Sequence, residues 1–203
     1  MVAACSCYTQ AARLQEEHGS PQLASCLLLE LAESLVRLQR PAEALPVFQR
    51  AARLQEGHIQ PWILAKIRIA DCYIATPDYH NGLLALSEVH NFATLNDPCG
   101  LYGDVLENVE ILRVLLLLMI QPSQHSTSPQ LLEVLERYRV EGGEGPQPHL
   151  DLETSLLLQS VVLAVEARDG ESLLYLEDEL APRLTDQQRR LLRLTVKMVL
   201  DKV

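Results

Sequence analysis

Aromatic side chains are scarce in this chain: two Phe, six Tyr and one Trp among 203 residues, or 4%. The core of a β-sandwich draws on aromatic and β-branched residues, so this scarcity argues against one. Glycine is also sparse, and its cluster at Gly142, Gly143 and Gly145 follows no strand, which speaks against a phosphate-cradling loop. Cysteine occurs five times, as Cys5, Cys7, Cys26, Cys72 and Cys99. The odd number and the mostly apolar helical surroundings disfavour a disulfide framework and suit a reducing compartment. Cys5-Ser6-Cys7 supplies two thiols, not the four ligands of a structural zinc, and no Cys/His pair follows at finger spacing.

Positive charge is short as well. The 17 Lys and Arg are outnumbered by 27 Asp and Glu, leaving a net charge of −10. Phosphate contacts need clustered cations, so no nucleic-acid partner is expected, and adsorption to anionic lipid is disfavoured. Long apolar runs are missing: the most hydrophobic stretch, Val114 to Ile120, is seven residues. A spanning helix needs about 20. Asp104, Glu107, Glu110 and Arg113 stand before this run and Pro122 after it. It therefore reads as a central helix covered by its neighbours, and no membrane span is expected. The N-terminal MVAACSCYTQAARLQEE has no basic region ahead of an apolar core, so no secretory leader is expected.

Catalytic motifs are absent too. Six histidines form no H-E-x-x-H, there is no G-x-S-x-G, and Cys99 beside Gly100 has no local activating partner. The expectation is a non-enzyme with no metal and no cofactor.

What the chain has is leucine, alanine and helix punctuation. Hydrophobic residues make up 48%, enough for a sizeable aliphatic core of packed helices. Ser20-Pro21 and Pro41 start helices, and Arg40-Pro41 ends the one before. A third helix of this run begins near Gln60-Pro61. Thr76-Pro77-Asp78 breaks it, and a fourth runs to about Thr94. Further helices are expected over about Tyr102 to Gln121, Ser128-Pro129 to Tyr138, Asp151 to Arg168 and Glu171 to Leu180. Thr185-Asp-Gln-Gln188 is a capping box for the last, expected to reach about Lys202.

The hexapeptide AARLQE occurs at Ala11 and again at Ala51, an offset of 40 residues. The spacing around it resembles tetratricopeptide repeats, in which large and small residues alternate along a helix pair. Leu28, Leu31-Ala32, Leu35, Ala44, Phe48 and Ala51 fill those slots. Lys66, Ile69-Ala70, Tyr73, Gly82, Leu86 and Val89 repeat them, with Lys66 and Val89 departing from type. The predicted architecture is an all-α, tetratricopeptide-like helical-hairpin solenoid, an α-α superhelix. It forms a single helical-repeat domain over 1–203, with a flexible linker at about 141–149 and charged C-terminal helices over 166–203.

Glu166, Asp169, Glu171, Glu177, Asp178 and Glu179 concentrate around one short helix, and Arg189, Arg190, Arg193 and Lys197 crowd the next. Either these helices neutralise each other, or the acids meet a basic partner.

Three stretches carry a more particular resemblance. They are CLLLELAESLVRLQRPAEALPVFQRAARLQ (Cys26 to Gln55), YGDVLENVEILRVLLLLMIQP (Tyr102 to Pro122) and LLLQSVVLAVEARDGESLLYLEDELAPRLTDQQRRLLRL (Leu156 to Leu194). In order and spacing they resemble the family of the forty-kilodalton huntingtin-associated proteins, also called factor VIII intron 22 proteins. The likeness covers the later part of the family pattern. No counterpart of the family's usual N-terminal helices is expected among these residues, and the long proline-rich insertion expected before Tyr102 is reduced to LNDPCG. The resemblance implies a non-enzymatic scaffold that binds huntingtin stably between its helical-repeat domains and fixes its conformation. It implies a cytoplasmic protein, with the nucleus as a further location, linked to early endosomes and vesicle trafficking through a small GTPase. The alternative is a general tetratricopeptide-type adaptor gripping short peptides in a concave groove. Candidate partner contacts are Leu27, Leu29, Val36, Leu83 and Leu84, which the repeat pattern does not need for its own packing, together with Glu177, Asp178 and Glu179. For each leucine and valine, packing against the adjacent hairpin is the competing reading.

Overall fold

The structure is a computed structural model that describes residues 2–96, 100–121, 129–139 and 149–201. Among the described residues it holds ten α-helices, one 3-10 turn and no strand, so the expected all-α class holds. The chain divides into two compact units, Met1–Cys99 and Gly100–Val203.

The first unit contains α1 (Val2–Glu17), α2 (Pro21–Arg37), α3 (Pro41–Leu54), α4 (Ile59–Ala75) and α5 (Tyr79–Leu95). Each packs on the next. Links of three or four residues join them, and links that short make neighbouring helices antiparallel. Pro21 and Pro41 open their helices at the first position, where the missing N–H costs nothing. Ser20 stands at the cap position but makes no side-chain cap bond. Asp78 does, accepting the Asn81 N–H at 3.3 Å. Gly57, at φ +92°, takes a backbone turn that L side chains resist.

The repeat-pattern slots lie in the interior: Leu28, Leu31, Ala32, Leu35, Ala44, Phe48 and Ala51 are all buried. Small residues let α2 and α3 approach closely, and the Ser25 hydroxyl donates across to the Ala51 carbonyl at 3.1 Å. Lys66, out of place in a large apolar slot, is partly buried there. Its ammonium pairs with Glu88 and lies 5.3 Å from the Trp62 ring centroid, and Trp62 packs on Phe92 with centroids 4.4 Å apart.

The second unit contains α6 (Gly103–Ile120), α7 (Pro129–Arg139), α8 (Leu152–Ala167), α9 (Gly170–Leu180), a 3-10 turn (Ala181–Arg183) and α10 (Asp186–Leu200). Within this unit α6 meets α7, α8 and α10, while α9 packs on α8 and α10. Every residue of α6 from Val109 to Leu118 is buried, so the apolar run is a covered interior helix. No helix among the described residues is long and apolar enough to cross a membrane. The Thr185/Gln188 capping box opens α10, and the Gln188 amide also donates to the Asn108 carbonyl on α6 at 3.3 Å. The last helix ends at Leu200, two residues before the expected Lys202. Residues 141–148 of the expected linker, the loop 122–128 and Cys99 lie outside the described residues.

Candidate interaction surface

The predicted contact residues occupy different situations. Leu27 and Leu29 are partly buried and pack against the Ala12, Ala24, Leu28, Ala51 cluster that joins α1, α2 and α3. Leu83 is 1% exposed and belongs to the interior. The expectation that it offers itself to a partner is corrected by its position on the buried side of α5, beside Ala85, Leu86 and Val89. Val36 and Leu84 are exposed, at 40% and 42%.

Val36 lines a hollow of about 270 Å³ between α2, α3 and α4. Phe48, Cys72, Ala75 and Pro41 give it an apolar wall; Glu33, Arg37, Arg68 and Asp71 rim it. Arg68 lies 3.4 Å from Asp71, so part of that rim is already paired. Burial, with the Asp71 carboxylate beside it, pushes the Cys72 thiol up to about 11, which keeps it neutral and unreactive. The hollow is therefore apolar inside and charge-balanced outside. It can seat an aliphatic or aromatic side chain, and it holds no reactive nucleophile.

In the second unit the charged helices partly neutralise each other. Arg193 on α10 donates to Glu177 on α9 at 3.0 Å. Asp178 and Glu179, adjacent on α9, are exposed and have no cationic side chain within reach among the described residues. The three acids thus separate: one is used internally and two face outward.

The interior of this unit holds charge as well. Glu110 and Arg113, one turn apart on α6, are 2% and 4% exposed, and the Arg113 guanidinium donates to the Glu110 carboxylate at 2.7 Å. Arg137 of α7 reaches the same carboxylate at 3.8 Å. Burial lowers the Arg113 pKa; burial, then Glu110, raises that of Tyr138 beside them. Glu110, Arg113 and Tyr138 are buried, and Arg137 reaches them from the surface. Among the described residues, no group of three His, Cys, Asp or Glu could hold a metal ion.

Exposed leucines missed in the sequence include Leu23 and Leu64 in the first unit and Leu152 and Leu156 in the second, each more than half exposed. The signal was available for Leu64, which shares a helix face with Arg68 and Asp71. A leucine on an otherwise polar stripe is a leucine without an internal role.

Searching against protein-family models gives no match. Two curated proteins do match, the 40-kDa huntingtin-associated proteins of mouse and rat, each 30% identical over 255 residues and 96% of this chain. The chain resembles the 40-kDa huntingtin-associated proteins. It spans 66% of the length of each, just under two thirds. The matched stretch, 255 residues against a chain of 203, is longer than the chain itself, so these huntingtin-associated proteins carry residues inside it that this chain lacks. Their name records an association with huntingtin and no reaction.

Proposed function

We propose that this chain is a non-enzymatic scaffold that binds huntingtin stably, seated between its helical-repeat domains and fixing their arrangement. The observation that carries this reading is the identity to the two huntingtin-associated relatives along 96% of the chain. Two features support it. Large apolar side chains stand exposed on both units, including Leu23, Leu64, Leu152 and Leu156, which is the raw material of a stable interface. And the outward acids Asp178 and Glu179 offer a site for a basic partner surface. The finer fold reading goes with it: the hairpins of the first unit are tetratricopeptide-like. A cytoplasmic location, and a link to early endosomes through a small GTPase, belong to the same proposal.

The test is co-expression of the tagged chain with full-length huntingtin. The expected outcome is a complex of fixed stoichiometry that survives gel filtration. Chain and huntingtin eluting separately would overturn the proposal. A second reading, an adaptor gripping short peptides, is favoured by the hollow between α2, α3 and α4. It expects a soluble monomer whose peptide binding is lost when Val36→Arg blocks that hollow.

A further inference from the structure

A groove of about 660 Å³ runs between α8 and α9. Its walls are Leu163, Ala164 and Ala167 on one side and Ser172, Tyr175 and Leu176 on the other. The groove is open, and its small residues leave room for a helix backbone to approach within the 8–10 Å of ordinary helix packing. Tyr175 is 68% exposed at its edge. One turn before the lining residue Ser160, on the same face of α8, Leu156 is 53% exposed. An apolar trough with an exposed tyrosine and leucine at its margins has the form of a seat for the apolar ridge of another helix.

Charge decides which kind of helix. From Asp151 to Leu180 the chain holds eight acidic residues and one basic one. Four of the acids have a cationic neighbour within the unit: Asp151 and Glu153 share Arg183, Glu166 meets Arg139, which also holds Glu136, and Glu177 meets Arg193. The other four are Asp169 and Glu171, which line the groove at the start of α9, and Asp178 and Glu179, near its end. None of these four has a cationic partner among the described residues. Asp169 caps α9, accepting bonds from the Ser172 hydroxyl and N–H, and these bonds lower its pKa and keep it charged. Glu171 and Glu179 are eight residues apart on one helix, about 12 Å at 1.5 Å per residue.

We infer that the α8/α9 groove docks an amphipathic helix of a protein partner, with leucine-type residues along its buried ridge and Lys or Arg about two turns apart on its flanks. This rests on the scaffold reading above and names the class of element that would be held there.

The probe is a synthetic helical peptide with leucines at i, i+4, i+7 and i+11 and lysines flanking the ridge two turns apart. Its control has glutamates in place of the lysines. Binding to the full chain is read by fluorescence anisotropy. The lysine peptide should bind at least tenfold tighter than the glutamate peptide, and Ala167→Trp, which fills the groove from an exposed position, should remove at least tenfold of that affinity. The double variant Glu171→Lys/Glu179→Lys should reverse the preference, a result that a misfolded protein could not give. Equal binding of both peptides, or full binding by the Ala167→Trp variant, overturns the inference. So does a dimer in sedimentation that Ala167→Trp dissolves, since the groove would then belong to a second copy.

Amide exchange separates this from the scaffold reading. If the huntingtin complex forms, slowed exchange in α8 and α9 supports the groove, and unchanged exchange overturns it while leaving the scaffold standing. If no complex forms but the peptides discriminate as stated, the scaffold reading fails and the groove remains.

Discussion

At the scale of single residues, two positions give sharp tests. Arg168 closes α8 in the left-handed region, at φ 55°. A side chain with a Cβ is strained there, while glycine is not. Arg168→Gly should therefore stabilise the chain by about 0.5–1 kcal/mol, despite the extra entropy of the unfolded glycine. A lower urea midpoint in the variant would contradict this. Cys72 is the second position. Its thiol is raised from its ordinary value of 9.0 to about 11, so the neutral form is favoured in the folded state. Stability from this group is then complete below pH 9 and drains away as pH rises through 11. At pH 8 a maleimide should label the exposed Cys7 and Cys26 and spare Cys72 until the protein unfolds. Labelling of Cys72 at the same rate would show that the thiol is open to solvent.

Helices were the most legible level of the sequence, for local reasons. Proline at the first position, an Asp or Thr cap and a capping box each act within four residues, so Pro21, Pro41, Asp151 and Thr185 could be placed without tertiary knowledge. Burial across helices was harder. Lys66 broke the repeat pattern in sequence but keeps it in space, because the cation that completes its slot is held by Glu88 and Trp62 from elsewhere on α4 and α5. Leu83 looked surplus because the pattern assigns only Gly82, Leu86 and Val89 on α5, whereas the buried face of that helix is wider. The apolar run of α6 was rightly placed in the interior, but its ion pair was not foreseen, since Glu110 and Arg113 looked like ordinary solvated charges. That pair yields a prediction about the element. Arg113→Ala removes the close guanidinium from the buried Glu110 carboxylate, leaves Arg137 at 3.8 Å, and should cost about 3 kcal/mol. Replacing both, as Glu110→Met with Arg113→Leu, should recover most of that loss. A double variant no better than the single one in thermal unfolding would mean that the charges themselves specify the packing of α6.

At the scale of the whole molecule, the question is which surface charge is free to act at a distance. The sequence grouped Glu177, Asp178 and Glu179 as one acidic patch because they are consecutive. Which of them turns inward depends on how α9 meets α10 across the 3-10 turn Ala181–Arg183. The three acids therefore have two separable consequences. Glu177→Lys places a cation against Arg193 and should lower stability by up to about 1 kcal/mol, the scale of a solvent-accessible pair. Asp178→Lys with Glu179→Lys should change stability by less than about 0.5 kcal/mol. If the patch faces a basic partner surface, however, the same double change should slow association with huntingtin by about tenfold at low ionic strength. Exposed charges are screened over about 10 Å at 0.1 M salt and 3 Å at 1 M, so wild type and variant should converge as salt is added. Stopped-flow association over a salt series reads both quantities. Identical rates at low salt, with the complex still forming, would remove Asp178 and Glu179 from the docking surface and leave partner binding to the exposed leucines alone.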